Sequence, residues 1–209
     1  MSKFYIYKMT VDDGGAPCVE DGLLSLAICK PRIRTSAKRC NVVFGFAASS
    51  LSPDNRLIYV AEITEEPMAG TTYYSDAYSQ RADCIYEWKH SRFDRRLGAK
   101  FHGEPSDLEH DLGPASKGHR KAKVLLSKDF KYFGFNRGFQ HKGEGFPYLT
   151  TLIESLGQGH RVNHSEEVRK ELERLKERVW QLPSQESTPV PSEPCPRNCR
   201  DDNEGSVEC

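Results

Sequence analysis

No stretch of this 209-residue chain reaches the run of about 18 apolar residues that a membrane-spanning helix needs. A helical membrane protein is thereby excluded, in keeping with a mean hydropathy of −0.67. An excess of one charge is missing too, since 30 Lys and Arg stand against 30 Asp and Glu. That balance conceals an asymmetry: from Pro183 to Cys209 six acidic residues face two basic ones, a net of −4, so residues 1–182 carry +4. So small a surplus does not wrap a long duplex, where each phosphate contact takes its own cation, but it is enough to grip a few phosphates.

The same C-terminal stretch nearly lacks large apolar residues and holds five of the twelve prolines among Ser, Glu and Asp. It cannot bury enough surface to offset the entropy of ordering, and 183–209 is expected to be a disordered tail. A disulfide framework is also missing: the seven cysteines are scattered and odd in number, and the N-terminus enters a strand-like run without a basic leader and apolar segment. Reduced thiols and a cytoplasmic or nuclear location are the expectation. Cys195 and Cys199 lack the second ligand pair of a zinc site, and Cys209 is not fourth from the end as prenylation demands.

What is present reads as α+β. Phe4–Thr10, Asn41–Ala47, Leu57–Thr64, Ile85–Lys89, Val124–Ser127 and Tyr132–Phe135 have the β-branched and aromatic enrichment of strands, several as continuous apolar runs between turn residues. Gly45 inside one of them predicts a bulge or a close backbone approach. Short helices are expected at Pro31–Ala37, opened by proline, and at Gly70–Arg81. Leu149, Leu152, Ile153 and Leu156 form one helical face, and Val168, Leu172, Leu175, Val179 and Leu182 form the narrow seam of a second, with Asn163 or Ser165 as cap. The expectation is a small curved sheet or barrel with inserted short helices and two C-terminal helices. Its parts are a domain over 1–162, an amphipathic helix over 163–182 that docks on its own domain or on a partner helix, and the tail.

Five cations fall within ten residues, Lys30, Arg32, Arg34, Lys38 and Arg39, between two apolar runs. Held at the lip of a core without an amphipathic anchor, such a cluster suits a phosphate or nucleotide better than a membrane. In an extended backbone Lys30, Arg32 and Arg34 would point the same way and could fork onto phosphate; a helix from Pro31 would splay them. Among the many aromatics, Tyr73 and Trp88 are the candidates for stacking a base. The segment from His102 to Asp111 is rich in histidine and carboxylates; its spacing matches no metal signature, so no metal is assigned, while His110 and Asp111 are candidates for acid–base work. Cys18, on a Gly-rich turn, is the candidate nucleophile, and Cys29 is a second thiol, beside Lys30. The Gly-rich loop from Gly134 to Phe146, with Arg137, His141 and Lys142, could close over a ligand or simply connect a strand to a helix.

The succession F-Y-I-Y-K-M-T, G-G-A-P-C, S-L-A-I-C-K-P-R-I-R, N-V-V-F-G-F and D-N-R-L-I-Y-V-A-E-I-T resembles the nucleotide-modification-associated domain family, in its second type. The likeness continues through Y-Y-S-D-A-Y, R-A-D-C-I-Y, D-L-G-P and V-L-L-S-K-D-F-K-Y-F-G, so it spans roughly residues 3 to 160. Where the family pattern leads one to expect Gly-Asp ahead of the second strand the chain has Arg39-Cys40-Asn41, and no catalytic carboxylate is assigned there. The resemblance implies a nucleic acid or a nucleotide as partner. It implies a protein that modifies nucleobases or assists enzymes that do, or alternatively a non-catalytic reader with a modified base in an aromatic pocket. Neither the residues nor the resemblance names a cofactor.

Overall fold

The computed structural model describes residues 2–157 and 159–182; the tail expected over 183–209 lies outside the described residues. In chain order the elements begin with β1 (Phe4–Met9), β2 (Cys18–Glu20), β3 (Leu23–Leu26), α1 (Pro31–Ser36), β4 (Val42–Ala47) and β5 (Leu57–Glu62). There follow β6 (Met68–Ala69), α2 (Gly70–Tyr73), β7 (Tyr86–Lys89), β8 (Arg92–Arg95), α3 (Pro105–Leu112), β9 (Lys123–Ser127) and β10 (Asp129–Tyr132). The last are α4 (Pro147–Ser155), β11 (His160–Arg161) and α5 (Glu166–Trp180).

Five strands form the central sheet in the order β10-β5-β4-β1-β11. Strands β1 and β4 run parallel, Phe4 opposite Val42 through Met9 opposite Ala47, and the crossover between them carries β2, β3 and α1. Both faces of this sheet are covered, which explains why its strands read as near-continuous apolar runs. Phe4 and Ile6 enter one cluster with residues of α4 and α5, whereas Tyr5, Tyr7 and Met9 enter another with Leu24, Leu26 and Leu125. Gly45 is both a bulge and a close approach: the β4–β5 register shifts between Gly45 and Phe46, and a Cβ at Gly45 would lie 2.2 Å from the Tyr59 ring and 2.8 Å from Met9 Sδ.

A four-stranded sheet, β2-β3-β9-β6, lies against the second of these clusters. Only Lys128 separates β9 from β10, so the chain changes sheets there. Ser127 Oγ donates to the Glu62 carbonyl at 2.6 Å and accepts the Asp129 amide at 3.2 Å, which holds the step in place. The sheets do not close into a barrel; the fold is α+β with curved open sheets. A third layer, the β7–β8 hairpin with α2 and α3, encloses Tyr74, Tyr86, Phe93 and Leu112.

The seam of α5 is buried on the chain's own central sheet, with Val168, Leu172, Leu175 and Val179 beside Phe4 and Phe44. Each such side chain contributes about 1.5–3 kcal/mol by area, as an upper figure. Ser165 Oγ accepts the Val168 amide at the helix start, and Glu166 and Glu167 lie in its first turn, where the helix dipole favours them. Glu171 is buried because its Oε2 accepts the Leu149 amide at 2.7 Å, an N–H that α4 itself leaves unpaired.

Besides the short strands β2, β6, β8 and β11, which the sequence analysis does not place, three elements differ from the sequence expectation. The strand expected at Tyr132–Phe135 occupies β10 and stops before Gly134, whose φ of 70° starts a 3₁₀ turn over Phe135–Arg137. The helix expected over Gly70–Arg81 is confined to α2 and a 3₁₀ turn at Asp76–Tyr78, because the hydroxyls of Tyr73 and Tyr74 are drawn to Asp83 and the Ala27 carbonyl. Helix α3 forms in the carboxylate-rich segment: Pro105 opens it, and the Asp107 carboxylate accepts the Glu104 amide at 2.9 Å.

Candidate functional site

Strand β3 delivers a buried apolar run through Ile28 and then turns sharply into α1. Two successive non-glycine residues take up this turn in the left-handed region, Cys29 at φ 55° and Lys30 at φ 43°. Such residues cost on the order of 1–3 kcal/mol each and persist only where their surroundings fix them. Here the fixing is done by Arg34, which is 0% exposed and donates to the carbonyls of Cys29 (2.7 Å), Asp111 (2.6 Å), Lys121 (3.0 Å) and Lys123 (2.5 Å). The Cys29 amide in turn donates to Asp111 Oδ1 at 2.8 Å.

The turn presents the Cys29 thiol to a histidine and a carboxylate. His102 Nε2 is 3.2 Å from Cys29 Sγ, and its Nδ1 is 2.5 Å from Asp111 Oδ2. Tyr86 donates its hydroxyl to the same Oδ2 at 2.9 Å. Asp111, in the last turn of α3, is completely buried. The Asp111 hydrogen bond, then that of Cys29, pushes the His102 pKa up to about 10 against the smaller effect of its partial burial. His102 is therefore an imidazolium at neutral pH, donating to a carboxylate on one side and facing sulfur on the other, the order of groups by which enzymes ready a thiol for attack.

This constellation opens onto a cavity of about 380 Å³ lined by Tyr7, Cys29, Lys30, Lys100, Phe101 and His102, among others. Tyr7, on β1, is fully buried and bonds the hydroxyl of Tyr59 at 2.9 Å. Lys30 Nζ lies 4.8 Å from the centre of the Tyr7 ring, and burial pulls its pKa down. No carboxylate neutralises Lys30 among the described residues, so a cation is available to whatever enters.

The residues singled out by sequence fall into different places. Asp111 belongs to the constellation, but His110 is exposed, because neighbours in a helix project in different directions. Cys18 is 1% exposed, and burial, reinforced by Asp83, pushes its thiol up to about 12, which is unsuited to attack at neutral pH. Lys30, Arg32 and Arg34 do not converge: α1 turns Lys30 to the cavity, Arg32 to solvent and Arg34 inward as a clamp on backbone carbonyls. Tyr73 is 0% exposed and donates to Asp83 Oδ1 at 2.6 Å within a closed network of Ser25 and Arg81, so it offers no stacking face. Trp88 packs on Phe93 with ring centres 4.6 Å apart and lies outside the cavity lining. Arg137 is exposed on its 3₁₀ turn, which Asp12 ties to the cavity rim by accepting the Phe135 amide at 3.0 Å.

The thiol and the histidine were visible in sequence only as neighbours of other residues: Cys29 beside Lys30, and His102 at the head of the carboxylate-rich segment. The one local signal is the I-C-K-P junction, where a run of apolar residues meets a proline-initiated helix with no glycine to make the turn. Among the described residues Cys18, Cys29 and Cys84 are free thiols. Among the described residues no group of three or more His, Cys, Asp and Glu side chains is placed to hold a metal ion, and no helix is long and apolar enough to cross a membrane.

No curated protein and no solved structure matches the chain. A family model described as nucleotide modification associated domain 2 matches residues 1–189, which takes in every element from β1 to α5. The chain, with its strained thiol turn and its cavity, thus belongs to the nucleotide modification associated domain 2 family.

Proposed function

We propose that this protein is a thiol enzyme that modifies a nucleotide or a nucleobase, with Cys29 as nucleophile, His102 as proton carrier and Asp111 as the group that orients the ring. The observation that carries the reading is the continuous contact Cys29 Sγ–His102–Asp111 at the edge of a cavity, in a family associated with nucleotide modification. At about 380 Å³ the cavity falls in the size range of small-molecule sites and suits a single nucleotide. In the reaction Cys29 Sγ forms a bond to an electrophilic carbon of the nucleotide or of a substituent on its base. Cys29 attacks as the thiolate partner of the His102 imidazolium, and the proton on His102 Nε2 passes to the atom that receives the displaced electron pair. Lys30 and Lys100 supply cations to the phosphate. The alternative of a non-catalytic reader has less support, since Tyr73 has no free face and a reader has no use for a thiol held against an imidazolium.

The test compares wild type with Cys29→Ser on nucleotides and oligonucleotides, followed by mass analysis of the products. Turnover should fall about 1,000-fold or more in the variant, whose hydroxyl is the poorer nucleophile. Iodoacetamide should label Cys29 ahead of Cys18 and Cys84, and more slowly in His102→Gln. Undiminished turnover in Cys29→Ser, or equal labelling of the three thiols, would sink the proposal.

A further inference from the structure

A second groove, of about 420 Å³, lies at the turn end of the β7–β8 hairpin, whose other end reaches the candidate site through Tyr86 and Arg95. Its lining includes Trp88, Arg92, His119, Arg120 and Lys123, and no acidic residue. Arg92 has a counter-ion in Asp94 at 2.8 Å, but Arg120 and Lys123 make no ion pair among the described residues. Positive charge is therefore left over, in a concave place, beside a half-buried indole. That indole is held rigidly: Trp88 packs on Phe93 at 4.6 Å between ring centres, and His119 meets Phe93 edge-on at 5.0 Å.

We propose that this groove binds single-stranded nucleic acid, with one base stacked on Trp88 and adjoining phosphates on Arg92, Arg120 and Lys123. Cations without carboxylates call for a polyanion, and an aromatic ring among them calls for a base whose face is free, which a single strand offers and a duplex does not. Tyr86, two residues before Trp88 on the same strand, bonds Asp111 of the candidate site. Two residues of strand span about 6.6 Å, so one short stretch of hairpin joins the groove to the residues that hold Asp111. The inference goes beyond the proposed function, for it makes the ligand a polymer and does not depend on Cys29 being reactive.

Binding of fluorescent thymidine and uridine dodecamers, and of a duplex of the same length, is measured by anisotropy over a salt series. Trp88 emission is followed in a Trp180→Phe background, which leaves Trp88 as the only tryptophan. The expected result is that a single strand of either sugar binds, quenches Trp88, and loses affinity about 10-fold or more in Arg92→Glu/Arg120→Glu, with a salt slope shallower by about 1.4 for two lost phosphate contacts. Circular dichroism establishes that the double variant is folded. Cys29→Ser should bind as wild type does, which separates failure of this inference from failure of the proposed chemistry. Unchanged affinity in the folded double variant overturns the proposal, as does a duplex that binds as tightly as the single strand with Trp88 emission unmoved.

Discussion

Asp111 has both carboxylate oxygens committed, Oδ1 to the Cys29 amide and Oδ2 to His102 and Tyr86, so its charge is fixed where the imidazolium sits. The consequence is measurable as a dependence of stability on pH. His102 keeps its proton to about 10, while an unfolded histidine releases it near 6.5. Between those values the folded state holds a proton that the unfolded chain has given up. The stabilisation is therefore complete below the lower value and is lost as pH rises through the upper one. Urea unfolding at points across this window should show wild type losing more stability with rising pH than His102→Gln; parallel curves for the two would mean that the histidine is not held charged. His102 is partly open to solvent, so the effect should be well below the full ionic value. Sequence reading finds Asp111 but pairs it with His110, since adjacency is all a linear chain displays. The contacts that matter span 9 residues to His102, 82 to Cys29 and 73 between the histidine and the thiol.

Elements were legible where burial leaves a long imprint. Strands β1, β4 and β5, covered on both faces, and α5, with its apolar seam, all lie where the apolar pattern puts them. Strands β2, β6, β8 and β11 were missed because two to four residues are too few for a period to show. Helix α3 was missed because its sequence, P-S-D-L-E-H-D-L, is held by end-capping and by one buried carboxylate rather than by an apolar face. Gly45 was legible for its special role, though not for its link to the site. It lies opposite Tyr7 on one side and Tyr59 on the other, and its missing side chain leaves the room taken by the Tyr59 ring, whose hydroxyl meets that of Tyr7. Gly45→Ala should displace the Tyr59 ring and with it Tyr7 in the cavity wall, costing about 1–3 kcal/mol by overpacking. A drop in urea midpoint together with weaker nucleotide binding is the expected pair of results; full stability would show that the ring moves aside freely.

Across the whole molecule, β1, β4 and β5 contribute side chains to two of the three buried clusters, and Tyr86 ties the third to Asp111. The layers are thus mechanically continuous, and a change at the cavity is felt as a change in overall stability. Lys30 makes this specific. It occupies a left-handed backbone position that glycine would take without strain, and it carries a charge into a partly buried place without an ion pair among the described residues. Lys30→Gly should relieve about 1 kcal/mol of backbone strain, a rise in melting temperature of about 2–4 °C, while weakening the grip on an anionic ligand. A fall in melting temperature on thermal denaturation would contradict this. If the rise is found, this corner of the chain is a place where durability and usefulness pull in opposite directions: the residue that would make the protein sturdier is the one that would take from its cavity a charge it has to offer.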